Sequence, residues 1–205
     1  MKRMLLLLIV AFLFLFGCEQ ATDPPSSQVE ELEKTYSFSD QYSDAIKVSI
    51  IPLPEKSVIY LDSIFTVTKV INGLLGGTIT LDKAYISKDG KPVTILLNMV
   101  ILPLSFSGQR QITITIEDSV AVMNCGPSMN FRQALICSQT FTGLDLTEYE
   151  TEEIDFVYIH NNETFSKVPR TSIIVNKELG LVSVLDARIS HFSKYGWVRK
   201  HGNPN

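Results

Sequence analysis

The stretch "RQITITIED", residues 110–118, decides the fold class because its polar and apolar residues alternate without a break. Ile112, Ile114 and Ile116 fall on one side of an extended chain, and Thr113 and Thr115 fall on the other. A period of two is typical of a β-strand with one buried face, and isoleucine and threonine both favour strands. The stretch therefore predicts a strand packed on an apolar core.

Runs of the same character fill the rest of the chain from about residue 45, and none shows a sustained helical period. They are "AIKVSIIPL" (45–53), "SVIYLDSIFTVTKVI" (57–71), "GTITLDKAYI" (77–86), "VTILLNMVILPL" (93–104), "SVAVMNC" (119–125), "RQALICSQTF" (132–141), "EIDFVYIH" (153–160), "TSIIV" (171–175), "LVSVLDARI" (181–189) and "SKYGWV" (193–198). Turn residues separate them, most clearly Asp89–Gly90, a strong hairpin signal. Many short strands at this spacing predict an all-β domain over residues 45–205, built as an antiparallel β-sandwich.

The first twenty residues, "MKRMLLLLIVAFLFLFGCEQ", carry a different signal. Lys2 and Arg3 precede an apolar run from Met4 to Phe16, which as a helix would reach only about 20 Å. That is short of the roughly 30 Å of hydrocarbon in a bilayer, so residues 1–17 are predicted to be a secretion signal peptide.

The end of this segment, "LFGC", resembles the lipobox of bacterial lipoproteins, with Phe16 as a departure from its usual small residue. The resemblance implies that Cys18 receives a diacylglyceryl group, that cleavage occurs before it, and that further acylation, for example with palmitate, anchors the protein in the lipid bilayer. Glu19 in place of the usual retention aspartate implies an outer-membrane address in the cell envelope. An ordinary cleaved signal with an incidental cysteine is the alternative. Residues 18–44 are polar, contain Pro24–Pro25, and predict a flexible tether.

Charge and cysteine content limit the function classes. The formal net charge is −4, and without Lys2 and Arg3 the remaining 16 basic and 22 acidic residues give −6, which disfavours nucleic-acid binding. Cys125 and Cys137 flank a Gly-Pro turn and are predicted either to form a disulfide in an oxidising envelope or to stay as buried thiols. No cofactor motif or metal site is predicted: the three histidines are scattered, and the acidic run 146–155 is interpreted as a solvated loop, with calcium binding as the alternative.

Four segments in order resemble bacterial relatives of the ZU-five domain, a β-sandwich of zonula occludens proteins, netrin receptors and ankyrins. They are "GGTITL" (76–81), "VILPLSFSG" (100–108), "GPSMNFRQALICSQTFTGLDL" (126–146) and "ARISHFSKYGW" (187–197). The resemblance covers about residues 58–198, departs from the family after the proline of "ILPLSF", and implies a fold more firmly than a role. Independently, Gly76–Gly77 predicts a positive φ or a bulge where the chain enters a strand.

The last of these segments contains His191-Phe192-Ser193. In some ZU-five relatives this motif cleaves itself, which would make Ser193 the nucleophile, His191 the base and the Phe192 carbonyl the target of an N-to-O acyl shift. Residues two apart in a regular strand lie about 6.6 Å apart, whereas proton transfer needs roughly 2.6–3.2 Å, so the chain would have to bend at 192–193. The alternative is a structural corner in which His191 bonds to backbone at a strand bend and Phe192 fills the core. Counted along a continuous strand, Phe192 lies on the face opposite Ile189 and Tyr195.

The sequence thus favours a non-enzymatic envelope lipoprotein that binds an unknown envelope protein or a glycan, or serves as a spacer. A self-processing module that cuts its own Phe192–Ser193 bond is the second hypothesis. A hydrolase with residues in its loops is a distant third.

Overall fold

Twelve strands make up most of the described chain in the computed structural model, which describes residues 48–57, 65–161 and 164–200. They are β1 (Val48–Ile50), β2 (Phe65–Asn72), β3 (Gly77–Ile86), β4 (Pro92–Ile101), β5 (Gln109–Ile116), β6 (Val122–Gly126), β7 (Asn130–Thr142), β8 (Ile154–Ile159), β9 (Phe165–Lys167), β10 (Ser172–Asn176), β11 (Leu181–His191) and β12 (Lys194–Lys200). The predicted signal peptide, Cys18 and the predicted tether lie outside the described residues.

The strands form two sheets in which each pairing is antiparallel. The first sheet has the order β2-β5-β6-β12-β8-β9, with β1 also paired to β12, and the second has the order β10-β11-β7-β4-β3. Apolar side chains of both sheets form one large core between them. The prediction of an all-β antiparallel sandwich is confirmed.

The stretch at 110–118 behaves as its alternation predicts. It provides most of β5, in which Ile112, Ile114 and Ile116 are fully buried in the core. The opposite face is partly exposed, and there Thr113 and Thr115 meet threonines of β2 through hydroxyl hydrogen bonds of 2.9 and 3.0 Å. Such cross-strand pairs stabilise a sheet on the side that the core does not cover.

The middle of the core contains one polar link between the sheets. The buried indole of Trp197, on β12, donates a hydrogen bond of 3.1 Å from Nε1 to the side-chain oxygen of Gln139 on β7. Phe156 packs edge-on against Trp197 with ring centroids 5.4 Å apart. The bond satisfies the indole donor, which would otherwise be costly to bury.

The turn signals are borne out where the structure describes them. Strands β3 and β4 pair along their whole length around Asp89–Gly90, as the hairpin signal predicts. Gly76 has φ +73°, and an added Cβ would lie 2.3 Å from the carbonyl oxygen of Ile101, so only glycine fits at the entry to β3. Gly126–Pro127 forms a cis peptide bond between β6 and β7.

Two parts of the fold differ from the sequence-based expectation. The short strand β9 was not predicted, because three residues are too few to show a period. The acidic segment, interpreted as a solvated loop, holds a 3-10 turn at Thr151–Glu153, and β8 follows it within the strand predicted at 153–160. Within the described ranges, no helix has the length and apolar content that crossing a membrane would need.

Candidate functional site

The His-Phe-Ser motif forms the corner at which the chain passes from the second sheet to the first. Strand β11 ends at His191 and β12 begins at Lys194, with a bend at the two residues between them. Backbone hydrogen bonds fix the corner: the Phe192 amide donates to the carbonyl of Met129 (2.8 Å), and the Cys125 amide donates to the carbonyl of Ser193 (2.9 Å). The chain therefore bends at 192–193, between the two strands.

The expectation that Phe192 points away from Ile189 and Tyr195 is wrong. Phe192 is 1% exposed and belongs to the same core as both residues. Its ring packs edge-on against Phe131 with centroids 4.7 Å apart. The bend ends the alternation of β11 before Phe192, so counting by twos across the corner gives the wrong face.

The imidazole of His191 is bonded to a different serine from the one predicted. Its Nδ1 lies 3.0 Å from Oγ of Ser190, and no hydrogen bond among the described residues joins the imidazole to the hydroxyl of Ser193. The hydroxyl of Tyr195 donates to the carbonyl of His191 at 2.8 Å, which holds the backbone of the corner. The roles of Ser193, His191 and Phe192 in self-cleavage stay a prediction.

A second imidazole–hydroxyl pair lies on the neighbouring strands. Nε2 of His160, just after β8, lies 2.7 Å from Oγ of Ser166 on β9. The ring of Tyr158 stands between the two histidines, with its centroid 4.2 Å from that of His160 and 4.6 Å from that of His191. Sequence reasoning missed the pair of His160 and Ser166 because their contact depends on β9. The signal in the sequence was a histidine six residues before a serine across a turn.

These side chains surround a cavity of about 200 Å³ between the two sheets, which we call the imidazole cavity. Its described lining comes from β8, β9 and β12 of the first sheet, from β11 of the second, and from the β9–β10 connection: Tyr158, His160, Ser166, Lys167, Val168, Pro169, Arg188, Ser190, His191 and Tyr195.

The surroundings change the acidity of two groups in the cavity. Burial, with His160 as a second cause, lowers the pKa of His191 below its usual 6.5, so its imidazole is mainly neutral at neutral pH. Burial also raises the pKa of the Tyr195 phenol well above its usual value. The Tyr195 hydroxyl is therefore a hydrogen-bond donor under all physiological conditions.

Cys125 and Cys137 are buried in opposite sheets, on β6 and β7, and both are free thiols in the structure. Burial raises the pKa of Cys137 to about 12. Burial raises the pKa of Cys125 as well, and the neighbouring Cys137 adds to this shift. The predicted disulfide, which would join the two sheets across the core, stays a prediction.

The acidic residues of 146–155 do not converge on one point. Asp155 is 3% exposed and contacts Arg170 at 2.5 Å and Lys200 at 3.3 Å, while Glu153 contacts Arg199 at 2.7 Å. Their charges therefore stabilise neighbouring strands. Among the described residues, no group of three or more metal-ligating side chains comes together.

A broader concavity of about 970 Å³, which we call the loop groove, lies where four segments of the chain meet. The segments are 52–55, the β3–β4 turn (87–92), the start of the β7–β8 connection (142–147) and the β10–β11 turn (177–180). At its rim, Leu179 is 62% exposed. Sequence reasoning placed turns at 87–92 and 177–180, put residues 52 and 53 in a strand, and did not bring the four segments together.

Backbone hydrogen bonds tie the segments of the loop groove to one another. The amides of Gly143 and Leu144 donate to the carbonyls of Leu179 and Gly180 at 3.1 and 3.0 Å, and the Lys88 amide donates to the carbonyl of Glu55 at 2.7 Å. Gly143 has φ +77°, and a Cβ there would lie 2.3 Å from the carbonyl oxygen of Pro92, at the start of β4. The backbone thus holds the segments of the groove in two bonded pairs, with Gly143 in close contact with Pro92.

No family model, curated protein or solved structure matches this chain. The resemblance to ZU-five domains stays a prediction.

Proposed function

We propose that this protein is a bacterial envelope lipoprotein whose β-sandwich is a non-enzymatic interaction module with a ZU-five-like domain at 58–198. The sequence supports an anchor: a short apolar segment ends at "LFGC", which implies acylation of Cys18, and Glu19 supports the outer membrane. An envelope protein or a glycan is the proposed partner.

The loop groove is the observation that carries this proposal. Sandwich domains present binding residues on loops that a rigid scaffold positions. Here backbone hydrogen bonds join the four segments in two pairs, and an exposed leucine lies at the rim. A surface that is already in its bound shape loses less conformational entropy when a partner binds.

Site-specific photo-crosslinking in live cells tests the groove. A photoreactive amino acid at Leu179 is expected to give a discrete adduct with an envelope component. Leu75, which is 76% exposed in the β2–β3 turn and outside the groove, is the matched control. Identical adduct patterns at the two positions, or no adduct at either, would remove the loop groove from the proposal.

The anchor has its own test. Cells fed labelled palmitate are expected to label the wild-type protein and not Cys18→Ala, and globomycin should cause the unprocessed precursor to accumulate. Membrane fractionation then reports the location. A wild-type protein that takes up no label would contradict lipidation and leave the interaction module untouched.

A second candidate, self-cleavage between Phe192 and Ser193, is supported by the bend of the chain at that bond. The Ser193 hydroxyl would attack the Phe192 carbonyl while His191 accepts its proton, and the C–N bond between Phe192 and Ser193 would break as that proton passes to the released Ser193 amine. Water would then hydrolyse the resulting ester to give the Phe192 carboxylate and the free Ser193 hydroxyl. Intact mass after long incubation tests it: two fragments are expected from the wild type and one chain from Ser193→Ala. A single chain in both samples would rule out self-cleavage.

A further inference from the structure

We propose that the imidazole cavity is a binding site for a small aromatic carboxylate, with the ring between the sheets and the carboxylate at Arg188. The loop groove and the cavity share no lining residue, so this inference goes beyond the proposed function.

The size of the cavity sets the size of the ligand. Its volume is about 200 Å³, and an apolar cavity of about 150 Å³ is enough to hold a benzene ring in another protein. Drug-sized ligands occupy pockets of roughly 300–1,000 Å³. A single ring with one small substituent is therefore the class of molecule that fits.

The walls favour a flat apolar body. The rings of Tyr158, His160 and His191 lie close together, and Val168 and Pro169 add apolar surface. Aromatic rings prefer edge-to-face or offset contacts at centroid distances of about 4.5–7 Å, which a ligand ring among these side chains would make.

Charge determines the polar end of the ligand. Among the described lining residues, Arg188 supplies the guanidinium that would meet an anionic group, and none of these residues carries a carboxylate. This contrasts with the net charge of −4 on the whole chain. Arg188 is exposed and its side chain makes no ion pair with the residues that the structure describes. A planar guanidinium bonds a carboxylate through two parallel hydrogen bonds.

The backbone at Arg188 is held before any ligand binds. Its amide donates to the carbonyl of Pro169 at 2.7 Å, which connects β11 to the β9–β10 segment beside it. The hydroxyls of Ser166 and Ser190, already held by the two imidazoles, provide further polar contacts next to the ring. A prearranged site of this kind avoids part of the entropy cost of binding.

Isothermal titration calorimetry of the full chain in detergent, with benzoate and its neutral isostere benzamide, tests the proposal. Benzoate is expected to bind at least about tenfold more tightly than benzamide, the effect of one charge-assisted contact. Arg188→Gln should remove that preference. Arg110→Gln, a matched change of an exposed arginine on β5 outside the cavity, should retain it. The methyl NMR signals of Val168 should shift on titration with benzoate.

Three results would overturn the inference: no benzoate binding at millimolar concentration, equal affinity for benzoate and benzamide, or unchanged benzoate affinity in Arg188→Gln. Shifts confined to residues outside the cavity would also overturn it. None of these results bears on the photo-crosslinking at Leu179, so the two proposals fail separately.

Discussion

Truncating Phe192 to alanine tests whether the corner between the sheets is a structural part of the core. The side chain is 1% exposed and packs edge-on against Phe131 at 4.7 Å. A fully buried phenylalanine replaced by alanine costs about 3–5 kcal/mol, since transfer free energy is lost and a cavity remains. Domains of this kind have total stabilities of roughly 5–15 kcal/mol, so the variant should fold but be far weaker.

Urea unfolding followed by Trp197 fluorescence measures the effect. With a denaturant slope of about 2 kcal/mol per molar urea, the midpoint should fall by about 1.5–2.5 M. Leu75→Ala, at a position 76% exposed, is the control and should change the free energy of unfolding by less than about 0.5 kcal/mol. A double-mutant cycle with Phe131→Leu should give a coupling energy of about 0.5–1.5 kcal/mol. If Phe192→Ala moves the midpoint no more than the control does, the ring is not in the core and the reasoning about the corner is wrong.

Three other predictions use different measurements. Gly143→Ala should lower the free energy of unfolding by clearly more than Gly90→Ala. Both glycines have positive φ, at +77° and +76°, but of the two only Gly143 would place its new Cβ against a backbone atom, at 2.3 Å. Equal losses of unfolding free energy in the two variants would contradict the close contact at Gly143. Because burial lowers the pKa of folded His191 below 6.5, its neutral form stabilises the fold above that pH, and this contribution is lost as the pH falls from 6.5 through the lower folded pKa. His191→Gln should therefore show a smaller drop in Tm between pH 7.5 and 5 than the wild type, and an identical drop would refute this. In the native protein, Cys125 and Cys137 should not react with iodoacetamide, because burial keeps both thiols protonated. In urea, peptide mass spectrometry should find both cysteines alkylated. If both stay unreactive in urea, they form the disulfide instead.

The sheets were predictable because each strand carries its own pattern. In β5 the alternation of Ile112 to Ile116 identifies the buried face without knowledge of any neighbour. The turn at Asp89–Gly90 fixes the pairing of β3 with β4 for a similar local reason. Local chemistry of this kind determines fold class well.

The candidate sites were harder to predict because they depend on contacts between distant strands. The ring of His191 packs against that of Tyr158 on β8, and the serine bonded to its imidazole is the adjacent Ser190 and not Ser193. His160 and Ser166 meet only through β9, a strand too short to be recognised. The loop groove joins four segments whose mutual positions follow from strand order, which the sequence alone leaves open.

The pairing of β1 with β12 has a mechanical consequence. Val48 lies opposite Lys200 and Ile50 lies opposite Val198. The first described residues of the chain are therefore held by three residue pairs, of which the first joins Val48 to the last residue of β12. A pull transmitted through the residues before Val48 reaches the sandwich first at these three residue pairs. The next amide, that of Ile51, bonds to the carbonyl of Trp197, and the Ile51 side chain is 1% exposed. We therefore expect β1 to detach first under tension, while the remainder of the sandwich withstands the load.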